Sequence, residues 1–104
     1  MKTKWEKVGV IGVDAGLCWL GDPCYILHKN PDENPDDIGK SWKNFCKRLG
    51  DEDTVQFHYN KDLPSPGLGV CVSAGWGDGS YDVFVKRTRG RIAEVKVVFI
   101  EDEE

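Results

Sequence analysis

Apolar and polar residues alternate through the second half of this 104-residue chain, and that alternation limits its fold more than any other feature. Val55, Phe57 and Tyr59 share one side of a first run, and Leu68, Val70, Val72 and Ala74 one side of a second. Tyr81, Val83 and Val85 do so in a third run, and Ala93, Val95, Val97 and Phe99 in a fourth. A period of two sends successive side chains to opposite faces of an extended chain, so four half-buried strands are predicted. Val98 and Ile100 lie opposite the last set, which predicts that part of this strand is covered on both sides.

What separates the runs is equally informative. Gly75-Trp76-Gly77-Asp78-Gly79-Ser80-Tyr81 stands between the second and third. Glycines that reach positive φ, with Asp78-Gly79 as the central pair, predict a hairpin. Arg87–Arg91, with Gly90 inside it, predicts another, so this half of the chain reads as a β-meander. The first half opens with Val8–Val13, a β-branched run; Asp14-Ala15-Gly16 is a turn signal, and Leu17–Leu20 resumes as a strand. These two runs predict a hairpin. Gly21-Asp22-Pro23 breaks the ladder, because proline lacks the donor that a central strand needs, and Tyr25-Ile26-Leu27 reads as a short third extended piece.

One helix is expected. Asn34-Pro35-Asp36-Asp37 has an N-cap side chain, a proline for the first turn and carboxylates for the positive end of the dipole. Ile38, Trp42, Phe45, Cys46 and Leu49 form an amphipathic stripe, Lys47 and Arg48 suit its negative end, and Gly50 suits the C′ position. Gly39 weakens the start by up to about 1 kcal/mol relative to alanine. The helix is therefore placed at about residues 40–49, with a possible start at 35. The fold class that results is mainly β (α+β): a rolled antiparallel sheet of six or seven strands, as a small sandwich or a partly open barrel, with one mid-chain helix. Residues 1–104 read as one domain, with 101–104 as an acidic, frayed tail.

A formal charge of −4 and a pI near 5.1 argue against general nucleic-acid binding, which needs clustered Lys and Arg. No apolar run approaches the ~20 residues that span a bilayer, and no apolar signal segment follows the charged start, so a cytoplasmic location is expected. In that compartment Cys18, Cys24, Cys46 and Cys71 are expected to be reduced and mostly buried, and they form no Cys-x-x-Cys pair.

Gly21-Asp22-Pro23-Cys24-Tyr25 has the same make-up as the later glycine turn: tight-turn residues, a carboxylate and an aromatic. Together with Gly75–Tyr81 and with Arg91-Ile92-Ala93-Glu94-Val95, it resembles a group of small bacterial and bacteriophage proteins of unknown activity. The resemblance spans about Val13 to Ile100. It implies a bacterial or phage cytosol and no particular chemistry.

The two turns are expected to meet and frame a ligand-binding site built from Asp22, Cys24, Tyr25, Trp76, Asp78 and Tyr81. Small residues let a ligand approach the backbone, while the aromatics supply stacking surface. The glycine turn is neither a P-loop nor a dinucleotide fingerprint, since it lacks the lysine pattern of one and the following helix of the other. Asp14, Asp22 and Asp78 all fall in turns and could converge on a cation or on acid–base work, although such residues commonly serve Asx turns. Cys24 with His28 is the local nucleophile–base pair, but four residues of extended chain separate them by about 13 Å. Lys86, Arg87, Arg89 and Arg91 form the one basic cluster, read as a solvated hairpin tip. The leading function is a small, acidic, cytosolic, non-enzymatic binding module for a protein or small ligand. In a phage setting it would serve as an inhibitor, sponge or immunity-type protein. A small hydrolase using Cys24 or the Asp14/Asp22/Asp78 set is the alternative, and a structural subunit is the third. No cofactor or catalytic residue is assigned.

Overall fold

The computed structural model describes residues 4–27, 30, 33–59 and 67–101. Strands β1 (Glu6–Val13), β2 (Leu17–Leu20), β3 (Thr54–Phe57), β4 (Gly69–Ser73), β5 (Gly79–Thr88) and β6 (Arg91–Val97) form two open three-stranded antiparallel sheets, with helix α1 at Trp42–Leu49. Among the described residues the fold is mainly β with one α-helix, and neither sheet closes into a barrel. The chain divides into two compact units, Met1–Leu17 with Ala74–Glu104, and Cys18–Ser73.

The first unit carries the sheet ordered β1-β5-β6. Its face bearing Tyr81, Val83 and Val85 lies inward as the alternation predicts: Tyr81 and Val85 are buried and Val83 is half-buried. Val13, Ala74 and Tyr81 form the core of this unit, with Ile11, Val97 and Phe99 packed on them. The hairpin at Arg87–Arg91 is present. Thr88 pairs with Arg91, and Arg89 and Gly90 between them both take positive φ (54° and 77°), the backbone of a type I′ turn. Both outer strands hold an extra residue in their ladders: Lys7 and Gly9 pair with consecutive residues of β5, leaving Val8 over, and Glu94 and Ile92 likewise leave Ala93 over. Such bulges twist a free edge away from further pairing. The last strand ends at Val97. Around that end Val97, Val98 and Phe99 are half-buried, whereas Val95 and Ile100 are about half exposed, so the expected cover on both sides is partial.

The second unit carries the sheet ordered β2-β4-β3. Val55 and Phe57 point inward from β3, opposite Cys71 and Gly69 of β4. The inner face of β4 thus belongs to its smallest residues, for a steric reason: a Cβ at Gly69 would overlap the Trp19 ring. Phe57, fully buried, stacks on Phe45 of α1 with centroids 5.0 Å apart and planes within 3°. Phe45 in turn stacks on Trp42 at 5.5 Å and 12°, and Trp19 meets both phenylalanines at steep angles. The expected amphipathic stripe therefore does bring α1 onto its sheet, through rings.

Four expectations from the sequence need correction. β1 and β2 are not a hairpin: Gly16, at φ 71°, redirects the chain, and β2 pairs with β4 instead. Gly75–Tyr81 is not a hairpin either, since β4 and β5 belong to different sheets. Tyr25–Leu27 is not extended; Pro23–Tyr25 forms a 3₁₀ turn because Asp22 caps it and proline sits at its first position. The helix begins at Trp42, after the N-cap Ser41, while Asp36–Ile38 forms a separate 3₁₀ turn cut off by Gly39 at φ 80°. Its end at Leu49, with Gly50 beyond, is as expected.

Asp37 ties these pieces together. Its buried carboxylate accepts from Arg48 Nε (2.7 Å) and Nη2 (3.3 Å) and from the His58 backbone N–H (2.9 Å). Burial alone pushes the Asp37 carboxyl up, but these three donors and the guanidinium charge outweigh it and hold it below its ordinary value. Arg48 also lies over the Phe57 ring, 5.2 Å from its centroid.

Candidate functional site

The glycine turn is built to hold one tryptophan outward. Gly77 N–H donates to the Ala74 carbonyl, and the Tyr81 hydroxyl donates back to the Gly77 carbonyl at 2.8 Å. Tyr81 itself is buried and meets Phe99 edge to face at 5.2 Å. Gly75 lies so close to Phe99 and Ile100 that a Cβ would come within 2.8 Å and 2.9 Å of them. Ala74 N–H donates to the Gly16 carbonyl, fixing the start of the turn. The backbone is thus pinned at 74, 75 and 77. Trp76, between these points, is 77% exposed.

Of the six residues assigned to a site, Trp76, Asp78 and Tyr81 lie in this unit, but their roles differ. Tyr81 is a buried strut, and Trp76 is exposed. Asp78 is exposed and shares an open depression with Asp14, Gly12 and Ser80. Asp14 and Asp78 of the aspartate set line this depression, and Asp22 belongs to the other unit. Among the described residues, no three His, Cys, Asp or Glu side chains gather where they could hold a metal ion.

Asp22, Cys24 and Tyr25 form their own cluster in the Cys18–Ser73 unit. Asp22 Oδ1 accepts from the Cys24 N–H at 3.0 Å, and Tyr25 N–H donates to the Asp22 carbonyl at 3.2 Å. Backbone and thiol donors to Asp22 lower its carboxyl. The same contact works against Cys24: the thiol hydrogen bond to Asp22, its desolvation and the carboxylate charge all raise it. A raised thiol holds little thiolate near neutrality, so this environment opposes nucleophilic use of Cys24. His28, its suggested base, lies outside the described residues.

Tyr59 is the residue that the sequence reading placed elsewhere. Alternation puts it on the inner face of β3, but the strand ends at Phe57, and Tyr59 meets Tyr25 edge to face at 5.1 Å. A hydrogen bond with Tyr25, then desolvation and the nearby Tyr25, Cys24 and Asp22 charges, push its phenol up to about 12. Gly67 packs against this ring, where a Cβ would stand 3.3 Å away. The available signal was the pair of tyrosines just beyond turn or strand ends, where a phenol finds a polar partner more readily than in a core.

The cysteines divide. All four are free thiols, with Cys71 buried and Cys18 half-buried, but Cys24 and Cys46 are exposed, against the expectation of burial. Cys24 is on the 3₁₀ turn, and Cys46 falls at the outer margin of the α1 stripe. Burial raises the Cys18 and Cys71 thiols. Two members of the basic cluster are engaged locally: Arg87 pairs with Glu6 at 3.4 Å, and Lys86 with Glu94 at 3.5 Å and with the Trp5 ring. Among the described residues no helix is long and apolar enough to cross a membrane. The chain matches no protein-family model, no curated protein and no solved structure.

Proposed function

We propose that this protein is a small, cytoplasmic, non-enzymatic binding module that engages a protein partner through the Gly75–Tyr81 turn, with Trp76 as the anchor. One observation carries the reading: a large aromatic ring is left in solvent by a backbone that is fixed at both sides of it. Exposing a tryptophan forgoes a large gain from burial, and a fixed backbone lowers the entropy lost when a partner covers it. Tryptophan is also the residue most enriched among interface anchors. In a phage or bacterial setting such a module would act as an inhibitor or an immunity-type protein. The Cys24 route of the hydrolase alternative is weakened by its raised thiol.

The test uses Trp76→Ala beside the wild-type chain, immobilised for capture from bacterial lysate and melted in parallel. The expected result is an unchanged melting temperature with loss of a partner that the wild type retains. Identical captured sets, or a large fall in melting temperature, would remove Trp76 as the anchor.

A further inference from the structure

The parallel rings Phe57, Phe45 and Trp42 make a stack that starts in the core and ends in solvent. Trp42, its last member, is 60% exposed. Beside it opens a cleft of about 440 Å³ whose apolar lining is Trp19, Ile26, Ile38, Trp42 and Phe45. All of these lie in the Cys18–Ser73 unit, whereas Trp76 belongs to the other. Its polar lining includes Asn34 and Ser41. Ser41 Oγ accepts from the Asn44 N–H, which leaves its hydroxyl proton to donate to something else.

We propose that this cleft binds a planar aromatic molecule of two or three fused rings, with one hydrogen-bond acceptor at its edge. The volume falls within the range of about 300–1,000 Å³ typical of small-molecule sites. The chemistry follows from the walls. Phe45 lies between Phe57 and Trp42, so the stacking surface left to a ligand is the outer face of the exposed Trp42. Trp19, at 60° to Phe45, adds a differently oriented ring. A flat ring gains stacking on such a surface beyond what its buried area alone gives; a saturated ring of equal size gains only the area. The acceptor would meet the Ser41 hydroxyl.

The probe is 2-naphthol, with its saturated analogue decahydro-2-naphthol as the control, each titrated into the full chain by calorimetry and by amide chemical shifts. We expect 2-naphthol to bind about tenfold or more tighter than the saturated analogue. Trp42→Leu, which keeps an apolar side chain and removes the ring, should weaken 2-naphthol by about tenfold in a chain whose amide spectrum shows that it remains folded. Trp42→Tyr should keep most of the affinity, and Trp76→Ala all of it, so failure here is distinguishable from failure of the proposed function. Equal affinity for the two probes would show a cleft for aliphatic ligands instead and would overturn the proposal. So would no binding at about 1 mM, or an affinity that Trp42→Leu leaves intact.

Discussion

The two units of this chain solve the problem of a three-stranded sheet in different ways. In the Cys18–Ser73 unit a helix lies over the sheet, and the seam is aromatic: Trp42, Phe45 and Phe57 in parallel, Trp19 across them, and Asp37 gripping Arg48 beside them. In the other unit the core is Val13, Ala74 and Tyr81, and Val8, Val10, Ile92 and Val95 of its outer strands stay about half exposed. Bulges guard those strands, and the glycine turn holds Trp76 in solvent. One unit thus directs its rings inward, ending on Trp42, and the other supports one ring outward. A composition rich in aromatics can serve either end, and the strained or crowded glycines decide which. Gly69 makes room for the half-buried Trp19, whereas Gly75 and Gly77 position the exposed Trp76.

The comparison breaks most sharply at Phe57. This ring is fully buried and touches Trp19, Phe45 and Arg48, so Phe57→Ala should cost roughly 3–5 kcal/mol, much of a small domain's stability. Urea denaturation would measure it. A loss under about 1 kcal/mol would mean that the ring stack does not hold this unit together.

Asp37 comes next. Asp37→Asn keeps the shape and removes the charge that Arg48 faces. Because the Arg48 side chain is 37% exposed and can recover some hydration, the expected cost is about 2 kcal/mol, below that of breaking a fully buried pair. The pH dependence has a definite sign. The folded carboxyl is held below its ordinary value of 3.8, so its stabilisation is full well above pH 3.8 and is lost as the pH falls through the lower, folded value. Wild type and Asp37→Asn should therefore differ most near neutrality and converge in strong acid. A difference that grows on acidification would contradict the donor set described for Asp37.

These residues also show where sequence was legible. Alternation located β3 to β6, and the α1 stripe and Gly50 located the end of the helix, because those signals are local. The sheet partners were not local: nothing in Val8–Leu20 states that β1 pairs with β5 and β2 with β4. The roles in the candidate site divided in the same way. Trp76, flanked by glycines, was legible as a ring that its own turn could not bury. Tyr81, expected in the same site, is buried and donates to the Gly77 carbonyl, a bond that depends on the turn's exact path. The Tyr25–Tyr59 pair and the Trp19–Trp42 cleft bring together residues from separate elements, and no spacing rule links them.

Tyr81→Phe sharpens the comparison on the other side. It removes the hydroxyl bond to Gly77 and leaves the ring against Phe99, so a cost near 1 kcal/mol is expected. The turn should loosen with little loss of core, seen as faster amide exchange at Gly77 and nearby residues than at β5. Uniformly faster exchange would make Tyr81 a general core residue and weaken the account of a pinned turn.

The smallest effect is expected at Tyr25, where the change is in titration more than in stability. Tyr59 is raised from the ordinary 10.0 to about 12, and its hydrogen bond with Tyr25 is the first cause. Tyr25→Phe removes that bond and the Tyr25 charge while keeping an aromatic edge against the Tyr59 ring. Absorbance of phenolate in the wild type should show one tyrosine ionising near 12. In Tyr25→Phe, that midpoint should fall most of the way towards 10, the remainder reflecting desolvation and the nearby Cys24 and Asp22. The raised phenol also gives a stability contribution that is complete below pH 10 and disappears as the pH rises through 12. An unmoved midpoint would mean that Tyr59 is raised by its surroundings alone, and the Gly21–Tyr25 turn would then lose its link to the segment after β3.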